Sequence, residues 1–218
     1  MKILDKIVRD KKLEVDKLSS NSSIKELESS SLFSRKCISL KDSILKSSGG
    51  IICEFKRRSP SNNNINYKSN ISEVVKGYQK AGAAGLSILT NKQYFDGDIQ
   101  DILEIRDISS IPILRKEFII SEYQIIEAKS IGSDAILLIA SILSKEEIKN
   151  YSSLAKDIGL EVLFEIHDAE ELEKISGENI DIIGVNNRNL DTLEIDLQNS
   201  IDLYSKIPNS FVKISESG

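Results

Sequence analysis

The chain has 218 residues, of which 40% are hydrophobic and 29% are charged, and its formal net charge is −5. This composition is ordinary for a globular protein of one large or two small domains, with enough apolar residues for a sizeable core. The acidic balance argues against a nucleic-acid-binding surface, which needs a basic face. No apolar stretch approaches the ~18 residues of a membrane span, and acidic residues such as Asp5 and Asp10 do not fit an N-terminal targeting peptide.

Cysteine usage agrees with a protein of a reducing compartment. Cys37 and Cys53 are too few for a disulfide framework. Because Cys53 stands in an apolar run, we predict that it is a reduced core residue, and we expect a cytoplasmic protein.

The N-terminal part of the chain predicts a helical extension. Residues 2 to about 18 carry an apolar stripe at helical spacing, made of Leu4, Val8, Val15 and Leu18. Lys11 interrupts this stripe. The stripe predicts an amphipathic helix that packs on the rest of the molecule. Residues 19–48 are predicted as loop and short helix, with Phe33 and Leu40 as anchors. We expect residues 1–48 to cover the mouth of a domain that occupies residues 49–218.

Seven short apolar runs after residue 48 predict buried strands. They begin near Ile51, Leu86, Pro112, Asp134, Glu161, Asp181 and Phe211. The runs do not alternate strictly, as expected of strands that are covered on both faces.

Helix signals stand between these runs. Four pairs have the spacing of a capping box, namely Asn70 and Glu73, Ser121 and Gln124, Ser144 and Glu147, and Asp168 and Glu171. Gly132, Gly159 and Gly177 are placed where helices end. Strands that alternate with helices predict parallel βα units, and seven such units favour a (β/α)₈ TIM barrel over an open doubly wound sheet.

The length of the chain is short for such a barrel. A (β/α)₈ barrel usually takes ~250 residues, whereas this sequence stops at Gly218, after its seventh strand. We therefore expect the sequence as given to lack the eighth βα unit. We expect this 218-residue form to be inactive or nearly so, because the first and seventh strands keep unpaired edges and the interior opens to water.

Charged residues stand at the ends of the odd-numbered strands, where barrels carry their active sites. Glu54 and Lys56 end the first strand, Lys116 the third, Glu165 the fifth and Glu216 the seventh. Two ammonium groups and three carboxylates in one cavity suit acid–base chemistry. The alternative is a structural ion-pair network.

Polar residues also follow the last two strands. Asn186 and Arg188 suit recognition of a hydroxyl and an anion, and the backbone N–H groups of Ser217 and Gly218 suit a phosphate. His167, the single histidine, is more typical of a supporting or helix-start residue than of a catalytic one. Without a Cys/His/Asp cluster we expect neither a metal site nor a Cys–His nucleophile.

Six motifs together resemble the indole-3-glycerol phosphate synthase family. They occupy residues 54–61, 87–90, 94–97, 114–118, 184–190 and 215–218, and the resemblance extends from the N-terminal helix to the last residue. The family implies a (β/α)₈ barrel with an N-terminal segment at its mouth. It also implies a cofactor-free carboxy-lyase of tryptophan biosynthesis. That reaction closes 1-(2-carboxyphenylamino)-1-deoxyribulose 5-phosphate to indole-3-glycerol phosphate and releases carbon dioxide and water.

The resemblance implies roles for individual residues. Lys116 resembles the general acid and Glu165 the general base, with Glu54 and Lys56 as further acid–base or carboxylate-binding groups. A lysine suits the first role because its reference pKa of ~10.4 keeps it protonated at neutral pH. The implied substrate contacts are Ser59, Phe95, Phe118, Asn186, Arg188, Glu216, Ser217 and Gly218, and the two phenylalanines would flank the anthranilate ring.

Two features depart from the family. Glu117 replaces the usual aspartate after the catalytic lysine, and we expect little effect because it lies off the inward face. The Gly-rich phosphate loop of an eighth strand is not in the sequence as given.

Two other interpretations stay open at this point. One is a related sugar-phosphate barrel such as a phosphoribosylanthranilate-type isomerase, and the other is a non-catalytic barrel fragment that binds sugar phosphate weakly. The family further implies a small sugar-phosphate substrate, a monomer when complete, and association with or fusion to other tryptophan-pathway enzymes. It implies no nucleic-acid or membrane partner.

Overall fold

The computed structural model describes residues 2–60, 62–175, 179–190 and 192–217. The strands within these ranges are β1 (Ile52–Phe55), β2 (Gly85–Leu89), β3 (Ile113–Lys116), β4 (Ala135–Ile139), β5 (Glu161–Ile166), β6 (Ile182–Asn186) and β7 (Val212–Glu216). The helices are α1 (Ile3–Asn21), α2 (Ile24–Glu28), α3 (Leu40–Lys46), α4 (Ile71–Lys80), α5 (Lys92–Phe95), α6 (Ile99–Arg106), α7 (Glu122–Ser130), α8 (Lys145–Asp157), α9 (Ala169–Leu172) and α10 (Gln198–Tyr204). A 3₁₀ turn (Ala140–Ile142) follows β4.

The strands form one parallel sheet in sequence order from β1 to β7, as the alternation of strand and helix predicted. Each strand begins within one residue of its predicted start. The sheet curls, so that the ends of β1, β3, β5 and β7 surround one cavity. This is the predicted TIM-barrel-like α/β fold. Among the described residues β1 and β7 are the outer strands, each with one paired neighbour.

The central strands are covered on both faces, and the outer ones are not. Every residue of β2, β4 and β6 is buried. In β1 only Phe55 is buried, and Cys53 is half-buried. The prediction that Cys53 is a core residue was therefore wrong, because its strand lies at the edge of the described sheet. Burial nevertheless raises the pKa of the Cys53 thiol, which keeps it protonated.

Most of the predicted helix signals act as expected. Ser144 and Glu147 form a complete capping box. Asn70 and Asp168 accept from the backbone N–H groups of the residues predicted to pair with them. The side chain of Ser121 accepts from Tyr123 instead of Gln124.

Two of the three predicted glycine stops follow helices. Gly132 and Gly159 have φ values of 90° and 79° just after α7 and α8. This left-handed backbone favours glycine at a helix end. The third predicted stop, Gly177, lies outside the described residues.

Helix α1 has its predicted apolar face, and the charged Lys11 is buried within that face. Lys11 is only 2% exposed and lies between the buried residues Ile7 and Val15. Its Nζ is 3.1 Å from Glu117 and 2.8 Å from Glu14. A buried ammonium group is tolerated at this place in the apolar face because carboxylates pair with it.

The N-terminal extension reaches both ends of the barrel. Ile3, Leu4 and Ile7 of α1 line the cavity at the mouth. Residues 35–46 lie at the opposite end, where Arg35 pairs with Asp134 and Ser39 donates to Glu161, at the first residue of β5. Ile44 of α3 also lines the cavity, and both the cover over the mouth by residues 1–48 and the division of domains at residue 48 stay predictions.

The lower interior of the barrel is apolar. Leu40 of the extension is fully buried among inward-facing strand residues, which include Leu114, Leu137, Leu163 and Ile182. These side chains form the floor on which the polar layer at the mouth rests. Within the described ranges, none of the helices is long and apolar enough to span a membrane.

Candidate active site

A cavity of about 800 Å³ runs along the inside of the sheet, from Ile44 and Ile51 near the amino ends of the strands to the charged residues at their carboxyl ends. The alternation of side chains along each strand decides what faces it. Leu114 and Leu163 lie in its lower wall, and two residues further on Lys116 and Glu165 lie above them. The same step brings Glu216 into the layer after Ile214. The predicted convergence of the strand ends is thus present.

Lys116 stands between two carboxylates. Its Nζ is 3.3 Å from Oε2 of Glu165 and forms an ion pair with Oε2 of Glu216. Burial by itself would lower the pKa of Lys116, but the negative charges of Glu216, Glu165 and Glu54 outweigh it and raise the pKa. Lys116 is therefore a firmly protonated ammonium group inside the cavity.

The two carboxyl groups around Lys116 have pKa values displaced in opposite directions. Burial raises both, but for Glu165 the charges of Lys116 and His167 and the hydrogen bond from Asn186 produce a lowered pKa. For Glu216, burial together with repulsion from Glu165 and Glu54 outweighs Lys116 and raises the pKa. Neighbouring carboxyls separated in this way can take the roles of base and acid.

Gly184 makes room for Glu216. A Cβ atom at Gly184 would lie 2.2 Å from Oε1 of Glu216. This oxygen is buried and has no hydrogen-bond partner among the described residues. Sequence reasoning did not single out Gly184, although it begins one of the family motifs, because its role depends on a contact between β6 and β7.

Glu54 and Lys56 form a second pair at the rim. Their side chains are about one-third exposed, and Lys56 Nζ is 2.5 Å from Oε1 of Glu54. Oε2 of Glu54 accepts from the hydroxyl of Ser87 at 3.4 Å. Both residues line the cavity, as the period of two along β1 predicts.

Asn186 and Arg188 are in the cavity wall but already have protein partners. Asn186 Nδ2 donates to Oε1 of Glu165 at 3.1 Å, and its Oδ1 accepts from the backbone N–H of Arg188. Arg188 donates through Nη1 to the carbonyl of Leu193 at 2.9 Å and is among the residues that line the cavity. Asn186 thus orients the carboxylate of Glu165.

The remaining predicted contacts lie around the same cavity. Phe95 and Phe118 line it with their ring centroids 6.1 Å apart, and Ser59 and Ser217 line it as well. Ser217 has a φ of 59°, a turn conformation after β7. Gly218, the other residue predicted to bind phosphate, lies outside the described residues.

Glu117 is far more embedded than expected. It is 3% exposed and accepts hydrogen bonds from Thr90 at 3.0 Å, from Asn91 at 3.2 Å and from the backbone of Phe118 at 2.9 Å. It also pairs with Lys11 of α1. Glu117 thus belongs to a buried polar cluster beside the cavity, and the expectation that its identity has little effect stays a prediction.

No group of three or more His, Cys, Asp and Glu side chains suited to a metal ion occurs in the part of the chain that the structure describes.

Comparison with known proteins agrees with this geometry. The family model described as indole-3-glycerol phosphate synthase matches residues 4–218. The indole-3-glycerol phosphate synthase of Bacteroides thetaiotaomicron is 44% identical over 216 residues, which cover 99% of this chain and 83% of that protein. The proteins of the same name from Endomicrobium trichonymphae and Caldanaerobacter subterraneus are 41% and 40% identical, again over 99% of this chain and over 84% and 83% of theirs.

Solved structures add evidence on the fold alone. Two structures of tryptophan synthase from Pyrococcus furiosus are 18% and 15% identical, with TM-scores of 0.53 and 0.51. They cover 77% and 75% of this chain and 78% and 77% of the matched chains. The identity and coverage of the named relatives, together with the family model, establish that the chain belongs to the indole-3-glycerol phosphate synthase family.

Proposed function

We propose that the mouth cavity closes 1-(2-carboxyphenylamino)-1-deoxyribulose 5-phosphate to indole-3-glycerol phosphate, as the carboxy-lyase activity of the family implies. The observation that carries the proposal is the position of Lys116 between Glu165 and Glu216 in a cavity lined by Phe95 and Phe118. An ammonium acid between two carboxyl groups, beside an apolar wall, suits a substrate with an aromatic ring and a reacting ketone.

Lys116 acts as the general acid in the first step. The ring carbon that bears the carboxylate attacks the ketone carbon, and the ketone oxygen takes a proton from Nζ of Lys116. The raised pKa keeps this group protonated before the step. The new carbon–carbon bond then allows carbon dioxide to leave, and its bonding electrons restore the aromatic ring.

Glu165 acts as the general base in the second step. The new hydroxyl group leaves as water, and a carbon-bound proton must be removed for the double bond of the indole to form. The lowered pKa of Glu165 keeps it ionised and able to accept that proton. The leaving hydroxyl takes a proton from one of the two ammonium groups in the acid–base layer, Lys116 or Lys56.

The other lining residues hold the substrate. Arg188, Ser217, Ser59 and the ammonium group of Lys56 bind the anionic groups, and the two phenylalanines flank the anthranilate ring. Gly218, which lies outside the described residues, stays a predicted phosphate contact. Binding energy at these remote groups positions the reacting carbon atoms beside Lys116. A cytoplasmic location and association with other enzymes of the tryptophan pathway stay predictions.

A direct assay tests the proposal. The purified product of the whole gene, as distinct from the 218-residue form, is incubated separately with the ring-closure substrate and with phosphoribosylanthranilate, and each product is followed by fluorescence and by mass. We expect indole-3-glycerol phosphate from the first substrate and no isomerised product from the second. Isomerisation of phosphoribosylanthranilate without ring closure would replace the proposal with the isomerase alternative, and binding without turnover of either substrate would replace it with the non-catalytic one.

A further inference from the structure

His167 is the one histidine of the sequence, and the proposed reaction does not use it. It follows β5 directly, one residue after the strand ends at Ile166. Its side chain lies behind Glu165, outside the set of described residues that line the cavity. A mostly buried titratable group beside the proposed base can change the pKa of that base through its own charge.

The imidazole is held firmly from the side of α9. Nδ1 is 3.3 Å from Oε2 of Glu171, and the same oxygen accepts from the backbone N–H of His167 at 2.6 Å. On the other side the carbonyl of His167 accepts from Asn199 at 2.9 Å. These contacts fix both the backbone and the ring, so the direction of Nε2 is determined.

Nε2 is aimed at Glu165. It is buried and has no hydrogen-bond partner among the described residues. Oε1 of Glu165 lies 3.8 Å from it, at the end of the carboxylate that also accepts from Asn186. The other oxygen, Oε2, faces Lys116 at 3.3 Å. Glu165 is thus enclosed between the acid in the cavity and the imidazole behind it.

The charges around the ring favour its protonated form. Burial lowers the pKa of His167, but the hydrogen bond to Glu171 and the negative charges of Glu165, Glu171 and Asp168 outweigh it and raise the pKa above 6.5. The positive charge that faces this group is Lys116, on the far side of Glu165. An imidazolium at this place lowers the pKa of Glu165 in turn.

We propose that His167 is a positioning residue, held by Glu171, which fixes the orientation and the ionised state of Glu165 from outside the cavity. This inference rests on the proposed function in one respect, the use of Glu165 as the base. With Nδ1–H donated to Glu171, the Nε2–H of the imidazolium points at Oε1 of Glu165, so the carboxylate is held from two directions. Glu165 then begins every catalytic cycle in its ionised form beside Lys116.

The first experiment compares the pH dependence of kcat/KM in the native protein and in His167→Gln. Glutamine keeps polar atoms but removes the positive charge. Because an opposite charge within ~4–6 Å lowers a carboxyl pKa by ~1–3 units, its removal should move the acid limb of the profile to higher pH by about 1 unit. We expect kcat to fall about 10-fold, less than the ~10²-fold or more of a residue that itself transfers a proton.

Lys174→Gln is the matched control. It also removes a positive charge near α9, but Lys174 donates to the carbonyls of Ala140 and Leu143 and not to Glu165. We expect this variant to lose stability without a displaced acid limb. A lower kcat in His167→Gln with the acid limb in its native place would overturn the inference, because that is the behaviour of a purely structural residue.

The second experiment needs neither turnover nor a folded His167 variant. A single histidine gives one set of imidazole nitrogen signals, so NMR titration reads its pKa directly. We expect a pKa above 6.5 in the native protein, lowered in both Glu171→Gln and Glu165→Gln. A pKa that does not respond to Glu165→Gln would overturn the inference.

The two experiments separate this inference from the proposed function. Absence of ring closure by the native protein, combined with a His167 pKa that responds to Glu165→Gln, would remove the proposed reaction but support the coupling of the two side chains. Ring closure by the native protein, combined with a His167 pKa that does not respond to Glu165→Gln, would support the proposed reaction and overturn the coupling of the two side chains.

Discussion

Two charged clusters lie at opposite ends of the barrel. At the amino end of the strands Asp134, which is 0% exposed, pairs with Arg35 and Arg106 at 2.6 Å each. Its two oxygens also accept from the backbone N–H groups of Ile38 and Ile113, at 2.8 Å each. Every oxygen of this carboxylate therefore has two partners, contributed by three separate parts of the chain.

The cluster at the mouth is incompletely satisfied. Lys116 pairs with both Glu165 and Glu216, but Oε1 of Glu216 and Nε2 of His167 have no partner in the described structure. Two carboxyls share one ammonium group, and their pKa values are displaced in opposite directions.

The different hydrogen bonding of the two charged clusters assigns the cluster at the amino ends of the strands to stability and the cluster at the mouth to chemistry. A buried charge contributes to a fixed structure when all its hydrogen bonds are made, and removal of one partner then costs much. Nε of Arg35 also has no partner in the described structure, so what distinguishes the mouth is its unsatisfied carboxyl oxygen and its displaced pKa values, which suit the exchange of protons. In TIM barrels the two ends divide in this way, with catalysis at the carboxyl ends of the strands.

The largest expected effect comes from the cluster of Asp134, Arg35 and Arg106 at the amino ends of the strands, the lower cluster. Asp134→Ala leaves Arg106 buried without its carboxylate, and we expect the free energy of unfolding to fall by ~3–5 kcal/mol. Urea denaturation measures this loss. The exposed Asp107 provides the control, since Asp107→Ala should change little. If Asp134→Ala unfolded at the same urea concentration as the native protein, the lower cluster would have no stabilising role.

Lys116→Met should disrupt the cluster of Lys116, Glu165 and Glu216 at the mouth, the upper cluster, and should affect activity instead of stability. We expect kcat to fall by ~10²-fold or more, with substrate binding largely intact, because the proton donor acts mainly in the transition state. Lys129→Met is a matched control, since Lys129 is also buried but binds the carbonyl of Arg35 at the other end. A Lys116→Met protein that keeps more than half of the native kcat would remove Lys116 from the mechanism.

Arg188→Ala should weaken binding instead of chemistry. Its partner is an anionic group that is already present in the ground state, and a charged hydrogen bond contributes ~1.5–3 kcal/mol, which corresponds to roughly a 10- to 100-fold rise in KM. Steady-state kinetics measure this, and Arg188→Lys, which keeps the charge, should lie between the two. An unchanged KM with a lower kcat would move Arg188 from binding to chemistry.

The smallest effect is a gain in stability from Glu216→Gln. The pKa of Glu216 is raised above its ordinary value of 4.5, so the folded protein disfavours its charged form. This penalty is full above the folded pKa and disappears as the pH falls below the unfolded pKa. We expect Glu216→Gln to gain about 0.5–2 kcal/mol at neutral pH and to lose activity.

Thermal unfolding at several pH values tests this last expectation. The gain should shrink as the pH is lowered toward 4.5. Glu165→Gln, whose folded pKa is lowered, should show the opposite sign, with a loss of stability at neutral pH. A destabilised Glu216→Gln at neutral pH would mean that the pair with Lys116 stabilises the fold as the lower cluster does.

The sequence by itself determined the order of the elements and the layer at the mouth. Strand starts were predictable because parallel buried strands are short apolar runs between helix caps such as Ser144. The convergence of the side chains of Glu54, Lys116 and Glu165 was predictable because alternation along a strand has a strict period of two and parallel strands end at one edge.

Tertiary structure decided everything that depends on contacts between distant parts of the chain. Only the fold shows that Lys11 meets Glu117, that Gly184 leaves space for Glu216, and that Nε2 of His167 is directed at Glu165. Local patterns carry propensity and periodicity, whereas the cost of a buried charge depends on which partner the rest of the chain brings to it.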